Sequence, residues 1–100
     1  MNIREKILIV EDEKSIAHFI STILNSNDYE TLLARSGSEA KTMISSHCPD
    51  LVILDLGLPD MDGLKLIEQV RSWSITPIIV ISARTLEKSK IAALDLGADD

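Results

Sequence analysis

Three carboxylates, Glu11, Asp12 and Asp55, stand where they could act together. Glu11 and Asp12 follow the apolar run Ile7-Leu8-Ile9-Val10, and Asp55 follows Leu51-Val52-Ile53-Leu54. A third such run, Ile78-Ile79-Val80-Ile81, is followed by Ser82. If the first two runs are neighbouring strands, the three acids converge on one small pocket. Anions that close repel, and some retain protons unless a cation neutralises them. A donor set made only of oxygen favours a hard ion such as Mg²⁺ or Ca²⁺. Neither His nor Cys follows these runs, which disfavours zinc or copper. Taken singly, each acid has a plainer explanation: Glu11-Asp12 as a helix cap with an acidic first turn, Asp55 as the start of a loop. Taken jointly at strand ends, they point to a metal-assisted anion site.

The loop after Asp55 reads Leu56-Gly57-Leu58-Pro59-Asp60-Met61-Asp62-Gly63. Gly57 leaves the backbone bare near the proposed cation, so its carbonyl is a candidate ligand. Pro59 stiffens the turn. Asp60 reads as a solvated loop acid rather than a fourth ligand, and Asp62 as a helix cap.

These residues need elements to position them. The three apolar runs are continuous rather than alternating, as parallel strands buried on both faces are. A fourth stretch, Tyr29 to Arg35, mixes in Glu30 and Thr31 and reads as an edge strand. Between the runs the period becomes helical. Ile16, Phe19, Ile20, Ile23 and Leu24 mark one face of a first helix. Ser36-Gly37-Ser38-Glu39 has capping-box spacing and opens a second, with Ala40, Met43 and Ile44 inward. Asp62 caps a third, with Leu64, Ile67 and Val70 inward, and Thr85 caps a fourth that stops at Gly97. Pro77 precedes its strand, where a missing N–H is tolerated. The alternation of strand and helix implies an α/β fold, with right-handed crossovers and helices on both faces of a parallel sheet. Function in such sheets gathers at the carboxyl ends of the strands.

Composition narrows the classes. The chain has 100 residues, enough for one domain spanning 1–100. Hydrophobic residues make up 45%, which argues against disorder, and aromatics only 3%, so the core must be aliphatic. A formal charge of -6 disfavours direct binding to nucleic acid. Cys48 is the single cysteine, so no internal disulfide forms, in keeping with a reducing compartment. No stretch approaches the roughly 18 apolar residues of a membrane span. The segment before Glu11 is too short for a signal peptide. A cytoplasmic location without membrane insertion is expected.

In order and spacing, several stretches resemble the receiver domains of two-component response regulators. They are Ile7 to Glu13, Asp50 to Leu56, Leu58 to Gly63, Pro77 to Ala83 and Leu94 to Asp100. Within that family, Val70-Arg71-Ser72-Trp73-Ser74, Ser82-Ala83-Arg84 and Lys90 to Asp95 are similar to the potassium-transport regulators of the winged-helix branch. The resemblance implies a flavodoxin-like fold with strand order 2-1-3-4-5. It implies Asp55 as phosphoacceptor. Asp12, Asp55, Glu11 and the Gly57 carbonyl would hold Mg²⁺, and the Ser82 hydroxyl would bond the new phosphoryl group. It implies a sensor histidine kinase as donor, a homodimer on phosphorylation, and DNA binding only through a downstream output domain. It also implies a fifth strand, a Lys-Pro pair and a fifth helix beyond Asp100, so the domain reads as truncated. On that reading Ile78 to Ile81 would form an exposed apolar edge prone to pairing with other chains.

The mechanism expected is positioning and charge neutralisation, since phosphoryl transfer asks for little covalent chemistry from the protein. Arg84 is read either as tuning the lifetime of the phosphate or as an ordinary exposed side chain. His18 is read as lying on an exposed helix flank and His47 near a helix C-terminus, where a cation is favoured, both in structural or solvent roles, and Trp73 is read as a partly buried packing residue. The domain is expected to act in signalling rather than as an enzyme. An aspartate-nucleophile phosphatase is the alternative, but it wants a second Asp two residues after the first, where Gly57 stands. A nucleotide or flavin binder is a third reading, but no glycine-rich loop follows the first strand.

Overall fold

The computed structural model describes residues 4–81. Its elements alternate as expected: β1 (Lys6–Val10), α1 (Lys14–Ser26), β2 (Glu30–Ala34), α2 (Gly37–His47), β3 (Leu51–Asp55), α3 (Gly63–Arg71) and β4 (Ile78–Ile81). The four strands form one sheet in the order β2-β1-β3-β4, and every pairing is parallel. The fourth helix expected from Thr85 to Gly97 lies outside the described residues.

Position in the sheet explains strand composition. β1 lies between β2 and β3, and Ile7, Leu8, Ile9 and Val10 are all buried. Each such side chain contributes about 1.5–3 kcal/mol by leaving water. β2, at the edge, exposes Glu30 and Leu33 and buries Ala34. At the opposite end of the described sheet, β4 stands as an apolar edge strand, paired among the described residues with β3 alone. Ile78 is buried and Ile79, Val80 and Ile81 are half-buried. The core unites Leu8, Val10, Val52, Leu54 and Ile78 from the sheet with Ala40 and Ile44 of α2 and Leu66, Ile67 and Val70 of α3.

The helices begin where short polar side chains satisfy free amides. Ser36 Oγ accepts from the Glu39 amide at 3.1 Å, and Asp62 Oδ1 accepts from the Leu64 amide at 3.0 Å. The other half of the capping box is shifted by one residue, since Glu39 Oε2 accepts from Arg35 rather than Ser36. α2 ends on Cys48 in the left-handed conformation, followed by Pro49.

α1 departs from the simplest amphipathic reading. Its inward side carries Ala17, which is buried, while Ile16, Phe19 and Ile23 are exposed. Trp73, expected to be partly buried, is half-exposed on the segment after α3.

Candidate metal centre

Strand register builds the site. Val10 of β1 lies beside Leu54 of β3, so the next residues, Glu11 and Asp55, stand at the same level at the carboxyl end of the sheet. Glu11 still donates its amide to the Ala34 carbonyl at 3.0 Å, which keeps it in line with β1. Its side chain is thereby held at the sheet end, only 5% exposed. Asp12, one residue further on, is exposed, and Asp55 is half-buried. One carboxylate oxygen from each of the three lies within 4.8 Å of the others.

These surroundings perturb Glu11. Its pKa is raised from 4.5 to about 7. Removal from water is the largest cause, and the charge of Asp55, a hydrogen bond shared with Asp55 and the charge of Asp12 add to it. The Glu13 amide, which donates to Glu11 Oε1 at 3.1 Å, acts in the opposite direction. Charge is therefore concentrated where little water remains to solvate it. A divalent cation among these oxygens would relieve the repulsion, and the all-oxygen set suits Mg²⁺.

The loop after β3 is shaped around Asp55. The Gly57 amide donates to Asp55 Oδ1 at 3.3 Å, and Gly57 forms an antiparallel bridge with Asp62. A Cβ on Gly57 would stand 3.9 and 4.0 Å from the two Asp55 carboxylate oxygens, so glycine leaves the approach to that carboxylate open. Gly63 answers a different need. A Cβ there would fall 2.7 Å from Leu56 Cα and 3.1 Å from the Asp55 carbonyl oxygen. Only glycine lets α3 begin this close to the strand end, where the Gly63 amide donates to the Leu56 carbonyl at 3.1 Å.

Asp60 corrects the reading of it as a merely solvated acid. It is exposed, but Oδ1 accepts from the Gly37 amide at 2.8 Å and Oδ2 from the Ser38 amide at 3.0 Å. These two bonds hold its pKa below the ordinary carboxylate value. Neither this clasp nor the tightness at Gly63 was anticipated. A topological signal existed: in a β/α alternation the helix N-termini and the loops after strands share one end of the sheet.

The remaining candidates fall into place or outside view. His18 is exposed and lines a groove of about 330 Å³ with Glu11, Lys14, Ala17, Leu33 and Arg35. His47 is exposed at the end of α2, its Nδ1 2.8 Å from Ser46 Oγ. Ser82 and Arg84 lie outside the described residues. No described helix is long and apolar enough to cross a membrane.

Comparison with known proteins agrees with this geometry. Residues 7–100 match the family described as the response regulator receiver domain. The KDP operon transcriptional regulatory protein KdpE of Escherichia coli is 48% identical over 94 residues, covering 94% of this chain and 42% of that protein. The transcriptional regulatory protein KdpE of Staphylococcus aureus is 45% identical over 97 residues, again covering 42% of its length. The chain thus spans about two fifths of the curated relatives it matches. Among solved structures, the receiver domain of the Francisella response regulator 1452 superposes with a TM-score of 0.90 at 35% identity, over 97% of this chain and 81% of that one. The BeF3-activated N-terminal receiver domain of Klebsiella pneumoniae RstA gives a TM-score of 0.92 at 31% identity, over 96% and 82%.

Proposed function

The chain belongs to the response regulator receiver family, and on that premise we propose that Asp55 accepts a phosphoryl group from a phosphohistidine of a sensor histidine kinase. An Asp55 carboxylate oxygen forms the new O–P bond while the P–N bond to the donor imidazole breaks, and the imidazole nitrogen takes up a proton. The product is an acyl phosphate. The observation that carries this reading is the gathering of Glu11, Asp12 and Asp55 within 4.8 Å at the carboxyl ends of adjacent parallel strands.

The residues present suit Mg²⁺. Glu11, Asp12, Asp55 and the Gly57 carbonyl would hold it, and its chemistry would be to offset the charge between an anionic acceptor and an anionic donor. The chain's own groups prepare the acceptor. The Gly57 amide orients Asp55 through Oδ1, and the lack of a side chain at Gly57 leaves space for the incoming group. The Ser82 hydroxyl is proposed to donate to a phosphoryl oxygen once transfer is complete, biasing a two-state surface. Arg84 is proposed to affect how long the phosphate lasts.

The wider role follows from the similarity to KdpE regulators. We place the domain in a cytoplasmic transcriptional regulator, with control of potassium-transport genes as the specific role. Phosphorylation would favour a homodimer, and DNA would be met through an output domain rather than through this acidic one.

The test is incubation of the protein with acetyl phosphate and Mg²⁺, followed by intact-mass measurement. The wild type gains one phosphoryl group. Asp55→Asn gains none, and chelation of the metal prevents the gain in the wild type. Labelling that persists in Asp55→Asn removes Asp55 from the role. Ser82→Ala is expected to retain part of the acceptance and to lose signalling.

A further inference from the structure

The loop that flanks Asp55 is fastened to a helix 23 residues away in sequence. We propose that Asp60 is a positioning residue of the metal centre. By clasping the N-terminus of α2 it fixes the loop of residues 56–63, and so couples cation binding to that end of the helix. The inference rests on the metal-binding role given above to Glu11, Asp12, Asp55 and Gly57.

Three observations carry it. First, the clasp uses both oxygens of Asp60, on the amides of Gly37 and Ser38. α2 already has its own cap, because Ser36 Oγ takes the Glu39 amide. The Asp60 contact adds a long-range tie to a helix start that local sequence had already specified. Second, the neighbour of Asp60 is seated on the same spot. A Cβ at Gly37 would come 2.5 Å from both Cγ and Sδ of Met61, so the first residue of α2 is bare where the loop rests on it. Third, the loop is closed at its base by the Gly57–Asp62 bridge and by the approach of Gly63 to Leu56. Pinned at Asp60 and closed at its base, the loop has little freedom to move Gly57 relative to Asp55.

Two consequences follow for the site. The backbone of Gly57, three residues before Asp60, is held in place before a cation arrives. With both oxygens engaged, Asp60 is also kept from entering the cluster as a further acid. Coupling of this kind is reciprocal: whatever Asp60 does for cation affinity, the cation does for the clasp.

The experiment compares the full-length wild type with Asp60→Ala, Asp60→Asn and Ser36→Ala. Mg²⁺ affinity is measured by calorimetry, exchange of the Gly37 and Ser38 amides by hydrogen–deuterium exchange, and phosphorylation by acetyl phosphate as above. In the wild type Mg²⁺ slows exchange at both amides. Asp60→Ala weakens Mg²⁺ binding about tenfold, slows phosphorylation and abolishes the Mg²⁺ effect on those amides. Asp60→Asn, whose amide oxygen can still accept one bond, recovers part of each. Ser36→Ala removes a cap of α2 without touching the loop, so it lowers thermal stability and weakens Mg²⁺ binding much less than Asp60→Ala does. Equal loss of affinity in Ser36→Ala and Asp60→Ala, or no loss in either Asp60 variant, overturns the proposal. If Asp60→Ala does not fold, Asp60→Asn and the wild-type exchange data decide it, and amides indifferent to Mg²⁺ overturn it. Failure of the wild type to take up a phosphoryl group would instead defeat the role given to Asp55, with the Mg²⁺ coupling still read from calorimetry and exchange.

Discussion

Glu11 is nearly out of water and faces two other carboxylates, and the proton it retains has a thermodynamic consequence. In the unfolded chain the group ionises near 4.5, whereas in the folded state it does so at about 7. Between those values the native state holds the extra proton. The stabilisation it gives is fully present below pH 4.5, is lost as pH rises to about 7, and stays lost above that. Glu11→Gln removes the titration. In the absence of divalent metal we expect its stability to match the wild type near pH 4.5 and to exceed it by about 3 kcal/mol at pH 8. Urea denaturation in chelator across that range checks this. Parallel profiles for the two proteins would show that Glu11 ionises normally.

The elements place these residues, and two glycines separate stability from chemistry. Gly63→Ala drives a Cβ against the backbone of Leu56, which cannot yield as a side-chain tip can. We expect a loss of about 1–3 kcal/mol in denaturation experiments. Gly57→Ala meets only the Asp55 carboxylate oxygens at ordinary contact distance. It should change stability by less than about 1 kcal/mol and slow phosphorylation by acetyl phosphate, because the added methyl stands beside the acceptor. The same contrast shows how far the sequence could be read. Continuous β-branched runs and helical spacing were enough to give the alternation of strands and helices, and the resemblance to receiver domains supplied the sheet order that brings Glu11, Asp12 and Asp55 together. Gly63 reads alone as a turn residue, because its close approach to Leu56 depends on where α3 sits. The clasp from Asp60 to Gly37 joins segments far apart in sequence and has no local signature. The exposure of Ile16 and Phe19 likewise depends on what lies beneath α1, which periodicity does not record.

At the scale of the molecule, the sheet, the acids and a bound cation would form one linked equilibrium. A ligand that binds only the native state stabilises it by mass action, by about 2.7 kcal/mol at a hundredfold excess over its dissociation constant. For this protein that gain must depend on pH. At pH 5 Glu11 is protonated, and Mg²⁺ has to displace a proton to use it. At pH 8 the carboxylate is free, and the repulsion with Asp55 and Asp12 is there to be relieved. We therefore expect Mg²⁺ to raise the thermal midpoint clearly more at pH 8 than at pH 5. Calorimetry at pH 6 in two buffers of different ionisation enthalpy should show close to one proton released per Mg²⁺ bound. Glu11→Gln should release almost none. Equal proton release from the two proteins would mean that the cation does not engage Glu11. The donor set would then contract to Asp12, Asp55 and the loop, and the burial of Glu11 would require a purely structural account.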